Sequence, residues 1–449
     1  MSFFKAYDMR GEFGRDFTLD TVYRIGRWLP SLLEARRMLV GLDARLTSEA
    51  VRDALVRGLT EAGCDVDDMG LATTPMVYFF TARDGYDASV QITASHNPAS
   101  HNGMKVSRAE AVPVGYDSGL AELEQRVLSG ELPTAAKKAG AQRQVECRGR
   151  FVEWLRGYGH DLSGLRFAVD CSDGVAGMFV RELFGDGALY LNDVPDGRFP
   201  NHAPNPLEAE NREQLRTAVL AGRLDAGVIF DGDADRVMFL DETGAFVQPD
   251  YLIPLLARHF LATEPGATVV HDIRTSRGVI EALKADGALP LMGRVGHAFA
   301  KVLLRESGAV CGGELAGHYY FRDFFCCDSG ELAALLILEA LVTAKKNGVS
   351  FSGLVEPIRK YANSGERNYR IEDKEGAIKA VLMYLEDCGE PLARADFDGV
   401  RVDFAEWWVN VRKSNTEPYL RLVAEAADAE SLAGRLKDLE TVLAPFVNA

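Results

Sequence analysis

Short apolar runs alternate along the chain with longer stretches whose apolar positions recur at helical spacing. Met38-Leu-Val-Gly-Leu42 reads as a buried strand, and Ser48 to Ala62 as an amphipathic helix closed by Gly63. Ala88 to Thr93, Phe167 to Asp170, Ala226 to Phe230, Val237 to Leu240 and Thr268 to His271 read as further buried strands. Strands separated by helices in this way predict mostly parallel α/β sheets. A strand running into an acidic turn recurs: Leu39-Val-Gly-Leu-Asp43-Ala-Arg45, Phe167-Ala-Val-Asp170-Cys-Ser172 and Val269-Val-His-Asp272-Ile-Arg274. Copies so far apart predict three similar α/β domains, because the repeats of a solenoid are far shorter. After about Lys360 buried strands thin out, and Asp398-Gly399, Trp407-Trp408 and a polar loop follow. That change predicts a smaller C-terminal α+β domain. The expected divisions are 1–142, 143–245, 246–360 and 361–449, with Glu131 to Gly140 as a linker.

Length agrees with this plan. At about 150 residues per domain, 449 residues give three domains, or four if one is small. The net charge of −16 argues against nucleic acid or anionic membrane as a partner. It also means that a phosphorylated ligand needs basic groups gathered locally. The seven cysteines are odd in number and show no CxxC spacing, which predicts reduced thiols rather than a disulfide framework or a zinc site. No run reaches the roughly 18 apolar residues of a membrane helix. The first residues show no basic region ahead of an apolar core, so a cytoplasmic protein is expected.

Four segments carry candidate chemistry. Thr93-Ala94-Ser95-His96-Asn97-Pro98 follows a strand, which presents the Ser95 hydroxyl at the carboxyl edge of a sheet, with Lys105 downstream. The same residues also suit an ordinary polar turn. Asp231-Gly232-Asp233-Ala234-Asp235-Arg236 places three carboxylates at alternate positions, suited to one hard cation. A calcium loop of the EF-hand type competes, since Glu242 falls at the twelfth position. Arg236 stands where that loop requires glycine, however, and the flanks are strands. Cys311 to His318 is glycine-rich around Glu314 but meets no phosphate-binding fingerprint. Arg412-Lys413-Ser414-Asn415-Thr416, with Arg421 beyond, suits a phosphate clamp or a charged hairpin.

Taken in order, these segments resemble the α-D-phosphohexomutase superfamily, and within it the bacterial phosphomannomutases. The resemblance also covers Phe4-Lys-Ala-Tyr-Asp-Met-Arg-Gly11, Arg294-Val-Gly-His-Ala-Phe299 and Gly313 to Asp323, so it runs nearly end to end. It implies a heart-shaped enzyme of four domains around a central cleft. Ser95 matches the serine that carries the phosphoryl group, and Asp231, Asp233 and Asp235 match the ligands of one Mg²⁺, joined by the phosphate on Ser95. Glu314 and its loop match the sugar-binding segment. Arg412, Ser414, Asn415 and Thr416 match the grip on the non-reacting phosphate, and Arg421 is grouped with them. Arg274, Gly296 and His297 match substrate contacts, and Tyr7, Arg10, Lys105, Arg236 and His318 match residues lining the cleft. Where the family usually has serine in the sugar loop, this chain has Ala316. That change bears on which sugar is preferred.

The implied reaction interconverts mannose 6-phosphate and mannose 1-phosphate through a phosphoserine and a hexose 1,6-bisphosphate, which also serves as activator. By analogy it would serve GDP-mannose synthesis. Glucose phosphates are a further substrate. A phosphoglucomutase, a phosphoglucosamine mutase and a phosphosugar phosphatase are the alternatives. Lys105, His297 and His318 are the candidate proton acceptors, and Arg236 offsets charge on the transferring group. A monomer or dimer is expected, with a hinge near residues 358–366 that closes the fourth domain.

Overall fold

The computed structural model describes residues 3–158, 161–414 and 419–447. Four sheets follow one another along the chain. The first orders its strands Met9–Glu12, His101–Arg108, Ala88–Ile92, Arg37–Leu42, Asp65–Leu71 and Gln142–Gln144. The last four of these run parallel, and the other two pair antiparallel on one edge. The second sheet pairs Phe167–Asp170 with Leu189–Leu191 and Ala226–Phe230, then adds Val237–Asp241 and Phe246–Val247 antiparallel. The third centres on Thr268–Asp272, parallel to Leu289–Gly293 and Cys311–Gly313, with Tyr319–Phe321 and Cys327–Asp328 added antiparallel. These are mixed sheets of one plan, as the repeated strand-and-turn pattern predicts. The fourth sheet is antiparallel throughout, built on Trp407–Lys413 and Tyr419–Ala426. The edge strands Gln142–Gln144 and Phe246–Val247 carry the first and second sheets a few residues past the expected divisions.

The predicted helix is Ser48–Glu61, and it lies against Leu19–Leu33 with backbones touching. A Cβ on Gly58 would sit 2.4 Å from the Tyr23 carbonyl, so only glycine permits the crossing. The seven cysteines are free, and all but Cys388 are buried. No described helix is long and apolar enough to cross a membrane.

One apolar core runs through the first three domains, beside further clusters within each. Phe79, Phe151 and Phe324 come from the three of them, with ring centroids 5.5–6.3 Å apart. The fourth domain keeps a separate core around Val409, Leu422 and Leu439. Its link to the third combines a small apolar cluster of Leu315, Trp408 and Val423 with polar contacts. The buried Arg401 donates to the carbonyls of Ile273 (2.8 Å) and Thr275 (2.7 Å), and Asp398 accepts from the Val295 N–H at 2.7 Å.

Candidate active site

Ser95 lies just past the end of Ala88–Ile92, in the left-handed region at φ +50. A non-glycine residue held there is strained, and such strain persists only where surroundings enforce it. The enforcing group is Arg45, whose side chain is wholly buried. It donates to the carbonyls of Ser95 (2.8 Å), Asn97 (2.6 Å), Pro98 (2.6 Å) and His101 (3.0 Å). The Thr93 hydroxyl accepts from the Ser95 N–H at 2.8 Å and donates to Asp43 at 2.8 Å.

The aspartate loop of the second domain meets this turn. Ala234 is also left-handed, at φ +61. A Cβ on Gly232 would fall 2.7 Å from the Ser95 carbonyl, so the loops approach backbone to backbone. The Ser95 hydroxyl donates to Asp231 Oδ2 at 2.7 Å. Asp231, Asp233 and Asp235 are fully buried, and one oxygen of each lies within 4.8 Å of the others. Lys105 Nζ donates to Asp233 at 2.7 Å and also to Asp235, and the Thr74 hydroxyl donates to Asp233 at 2.6 Å. Oδ1 of Asp233 and Oδ1 of Asp235 are buried with no hydrogen-bond partner. Orphaned hard oxygens converging in this way fit a divalent cation.

Electrostatics divides the trio. Burial, then Asp233 and Asp235, push Asp231 well above the usual carboxylate range. Burial pushes Asp233 the same way, but Lys105 beside it prevails and holds it below that range. Burial disfavours the Lys105 ammonium, yet Asp233 and Asp235 together raise it above its ordinary value. Burial, then Arg236, Arg10 and Lys105, keep His96 neutral, 3.3 Å from the Ser95 hydroxyl.

Arg236 leads from this loop into the third domain. Its Nε donates to His318 Nε2 at 2.9 Å. That nitrogen therefore accepts, and Nδ1 carries the proton given to Asp328 at 2.7 Å. Asp328 in turn pairs with the buried Lys301 at 2.7 Å. Both ring nitrogens of His297 lack hydrogen-bond partners, and burial, then Lys301, keep it neutral. Glu314 accepts from the Gly296 N–H at 2.6 Å and from the Tyr320 hydroxyl at 2.9 Å. Burial raises its carboxyl above the ordinary range.

A cavity of about 1280 Å³ joins the four domains. Tyr7, Arg10, Lys105, Arg236, Arg274, Gly296, His297, Glu314, Ala316, His318, Arg412, Ser414 and Arg421 all line it, so the sequence-predicted residues converge. Ser95 and the three aspartates lie beneath its wall, at most 1% exposed. Arg412 lies in the strand Trp407–Lys413, one residue before its end, rather than in a loop. Asn415 and Thr416 lie outside the described residues. Sequence reasoning missed Asp8, which takes Arg10 Nη2 at 2.7 Å, as well as Arg45 and the Asp328–Lys301 pair. Arg45 left a signal, since it occupies in Asp43-Ala-Arg45 the place of Arg274 in Asp272-Ile-Arg274, and Asp8 stands at the same spacing before Arg10.

Carboxylates able to hold a cation beside a serine hydroxyl, and guanidinia able to hold a phosphate across the same cavity, are what phosphoryl transfer between anionic groups requires. Fold and cleft thus define an α/β phosphotransferase. Comparison with known proteins makes this specific. Residues 1–133, 157–244, 248–361 and 366–441 match, in order, phosphoglucomutase/phosphomannomutase domains I, II, III and the C-terminal domain. The chain belongs to the phosphoglucomutase/phosphomannomutase family. It is 38% identical over 453 residues to a phosphomannomutase of Salmonella montevideo, covering 98% of each chain. It is 38% identical over 448 residues to the phosphohexose mutases of Xanthomonas campestris, again covering 98% of each. A crystal structure of a family member from Burkholderia thailandensis superposes with a TM-score of 0.90 at 30% identity, covering 99% of this chain and 98% of that one.

Proposed function

We propose that this enzyme interconverts mannose 6-phosphate and mannose 1-phosphate, with glucose phosphates as further substrates. Ser95 carries the phosphoryl group, and a hexose 1,6-bisphosphate is the bound intermediate and activator. One observation carries this reading: a single cavity is lined both by His96 and Lys105, beside Ser95, and by Arg274, Arg412 and Arg421. A mutase needs those two anion sites in one space, because either phosphate of the bisphosphate must be able to face Ser95. A phosphatase has no need of the second. Full-length similarity to phosphomannomutases supports mannose as the sugar.

Mg²⁺ would be held by Asp231, Asp233 and Asp235 together with a phosphoryl oxygen on Ser95. When bound it offsets charge on the transferring group. The remaining work falls to the chain. Arg236 turns from His318 toward the phosphoryl oxygens. His318 Nε2, released from Arg236 and backed by Asp328, accepts the proton of the attacking sugar hydroxyl. The bond from Ser95 Oγ to phosphorus breaks, its electron pair staying on Oγ, as the sugar oxygen bonds to phosphorus. When the turned bisphosphate returns its other phosphate to that Oγ, His318 gives its proton to the departing sugar oxygen. Lys105, held protonated by its two carboxylates, is a charge-neutralising group rather than the base. Glu314 accepts from sugar hydroxyls. The fourth domain, with its separate core, closes over the substrate and excludes water.

The test is a coupled assay with Mg²⁺ and a trace of hexose bisphosphate on mannose, glucose and glucosamine phosphates. The highest kcat/KM is expected on mannose phosphates. Release of inorganic phosphate without isomer interconversion would place the protein among phosphatases. Undiminished turnover by Ser95→Ala would end the phosphoserine mechanism.

A further inference from the structure

The guanidinia assigned to the non-reacting phosphate already hold an anion, and it belongs to the chain. Glu366 Oε2 accepts from Arg274 Nη1 at 2.9 Å and from Arg412 Nη2 at 3.2 Å. Its Oε1 accepts from Arg421 Nη1 at 2.7 Å. Arg274 belongs to the third domain, while Arg412, Arg421 and Glu366 belong to the fourth. The carboxylate therefore sits where two domains bring three guanidinia together. Burial alone would raise it, but Arg274, Arg421 and Arg412 prevail and hold it at about 2, so it stays ionised at neutral pH.

We propose that Glu366 is an internal counter-anion of the phosphate clamp, and that a substrate phosphate enters by exchanging for it. This rests on the assignment of Arg274 and Arg412 to phosphate binding made above.

Electrostatics favours exchange over sharing. A phosphate monoester brings close to two negative charges, which would repel a carboxylate held by the same three guanidinia. Geometry agrees. Glu366 offers two oxygens to three guanidinia, and Arg412 Nε is buried without a hydrogen-bond partner, so a phosphate with three free oxygens uses the fork more fully. Withdrawal is also open to it. Its side chain is 20% exposed and lines the cavity. It follows Gly365, which is left-handed at φ +64 with no atom within 4 Å of where a Cβ would be. Glu366 keeps the guanidinia gathered while the site is empty, at the cost of weaker binding by singly charged ligands that cannot displace it.

The test is calorimetric binding of inorganic phosphate to the full chain at pH 8 in EDTA. Glu366→Gln is expected to bind phosphate at least about tenfold tighter than the parent, or ~1.4 kcal/mol. Affinity that is unchanged or weaker would overturn the exchange, since a carboxylate that merely orients the arginines must weaken binding when neutralised. Glu366→Asp, too short to reach all three guanidinia, provides the same readout if the glutamine variant does not fold. Arg412→Ala separates this proposal from the assignment beneath it. Loss of phosphate binding in that variant places the probe in the clamp. Unaltered binding there would overturn the clamp assignment, and the exchange with it.

Discussion

Lys105 occupies a position where its removal has a calculable consequence. Its ammonium is buried 2.7 Å from Asp233 and also contacts Asp235, while Asp231 lies within the same group. Replacement by methionine keeps all but the last atom of the side chain's length and deletes the charge. Coulomb attraction at that separation is about 6 kcal/mol per pair at an effective dielectric of about 20. Desolvation offsets part of it, and removing one partner of a buried pair costs about 3–5 kcal/mol. For a cooperative unit of one or two domains this lowers Tm by roughly 6–20 °C. The defect is two carboxylates, Asp233 and Asp235, stripped of their ammonium beside a third, so a divalent cation should repair it. Thermal melts of parent and Lys105→Met, each in EDTA and in excess Mg²⁺, are the assay. The variant should melt well below the parent in EDTA and recover much of the gap in Mg²⁺, while the parent shifts less. A variant melting within 2 °C of the parent in EDTA, or equal shifts with Mg²⁺, would refute this account of the trio.

Three further outcomes are expected. Burial pushes Asp250 up to about 7, against an ordinary value of 3.8, and leaves one of its oxygens without a hydrogen-bond partner. A raised folded value favours the fold below the ordinary value and is lost as pH rises toward 7. Asp250→Asn should therefore match the parent near pH 4 and exceed it by a margin that grows to pH 7 and then levels, up to about 4 kcal/mol; a pH-independent gap in denaturant melts would contradict this. Ala316→Ser should restore a hydrogen bond of about 0.5–1.5 kcal/mol, raising kcat/KM by roughly 2–13-fold for the hexose whose hydroxyl it reaches; an unaltered ratio among mannose, glucose and glucosamine phosphates would count against that role. Gly232→Ala would press a Cβ against the Ser95 carbonyl at 2.7 Å, and turnover should fall by at least about tenfold while the fold loses only about 1–3 kcal/mol; steady-state kinetics alongside a melt separates the two effects.

The strands and helices were legible because their signals are local. Met38 to Leu42 and Ala226 to Phe230 are uninterrupted apolar runs, and the structure makes buried strands of both. Ser95 and the three aspartates were legible for a related reason, as each motif gathers its residues within one turn. The Asp328–Lys301 pair behind His318 and the carboxylate of Glu366 gave no such signal. Their partners lie on other elements, and one partner of Glu366, Arg274, on another domain, so nothing in the neighbouring sequence marks them.

The recurring Asp-x-Arg pair shows where the division falls. In Asp43-Ala-Arg45 the arginine N–H and Nε both bond the aspartate, at 3.0 Å each. In Asp272-Ile-Arg274 the same two groups do so, at 2.6 and 3.1 Å. Two-residue spacing brings that local ring within reach from sequence alone, although in Asp8-Met9-Arg10 the arginine N–H goes to the Phe3 carbonyl and only Nη2 meets the aspartate. Spacing does not determine where the rest of each guanidinium points. Arg45 meets four carbonyls of the Ser95 turn and becomes its anchor. Arg274 meets Glu366 across a domain boundary and joins the clamp. A guanidinium has five donors and the local ring uses only some of them. The others go to whatever acceptors the neighbouring chain supplies, and only the packing of the domains decides which those are.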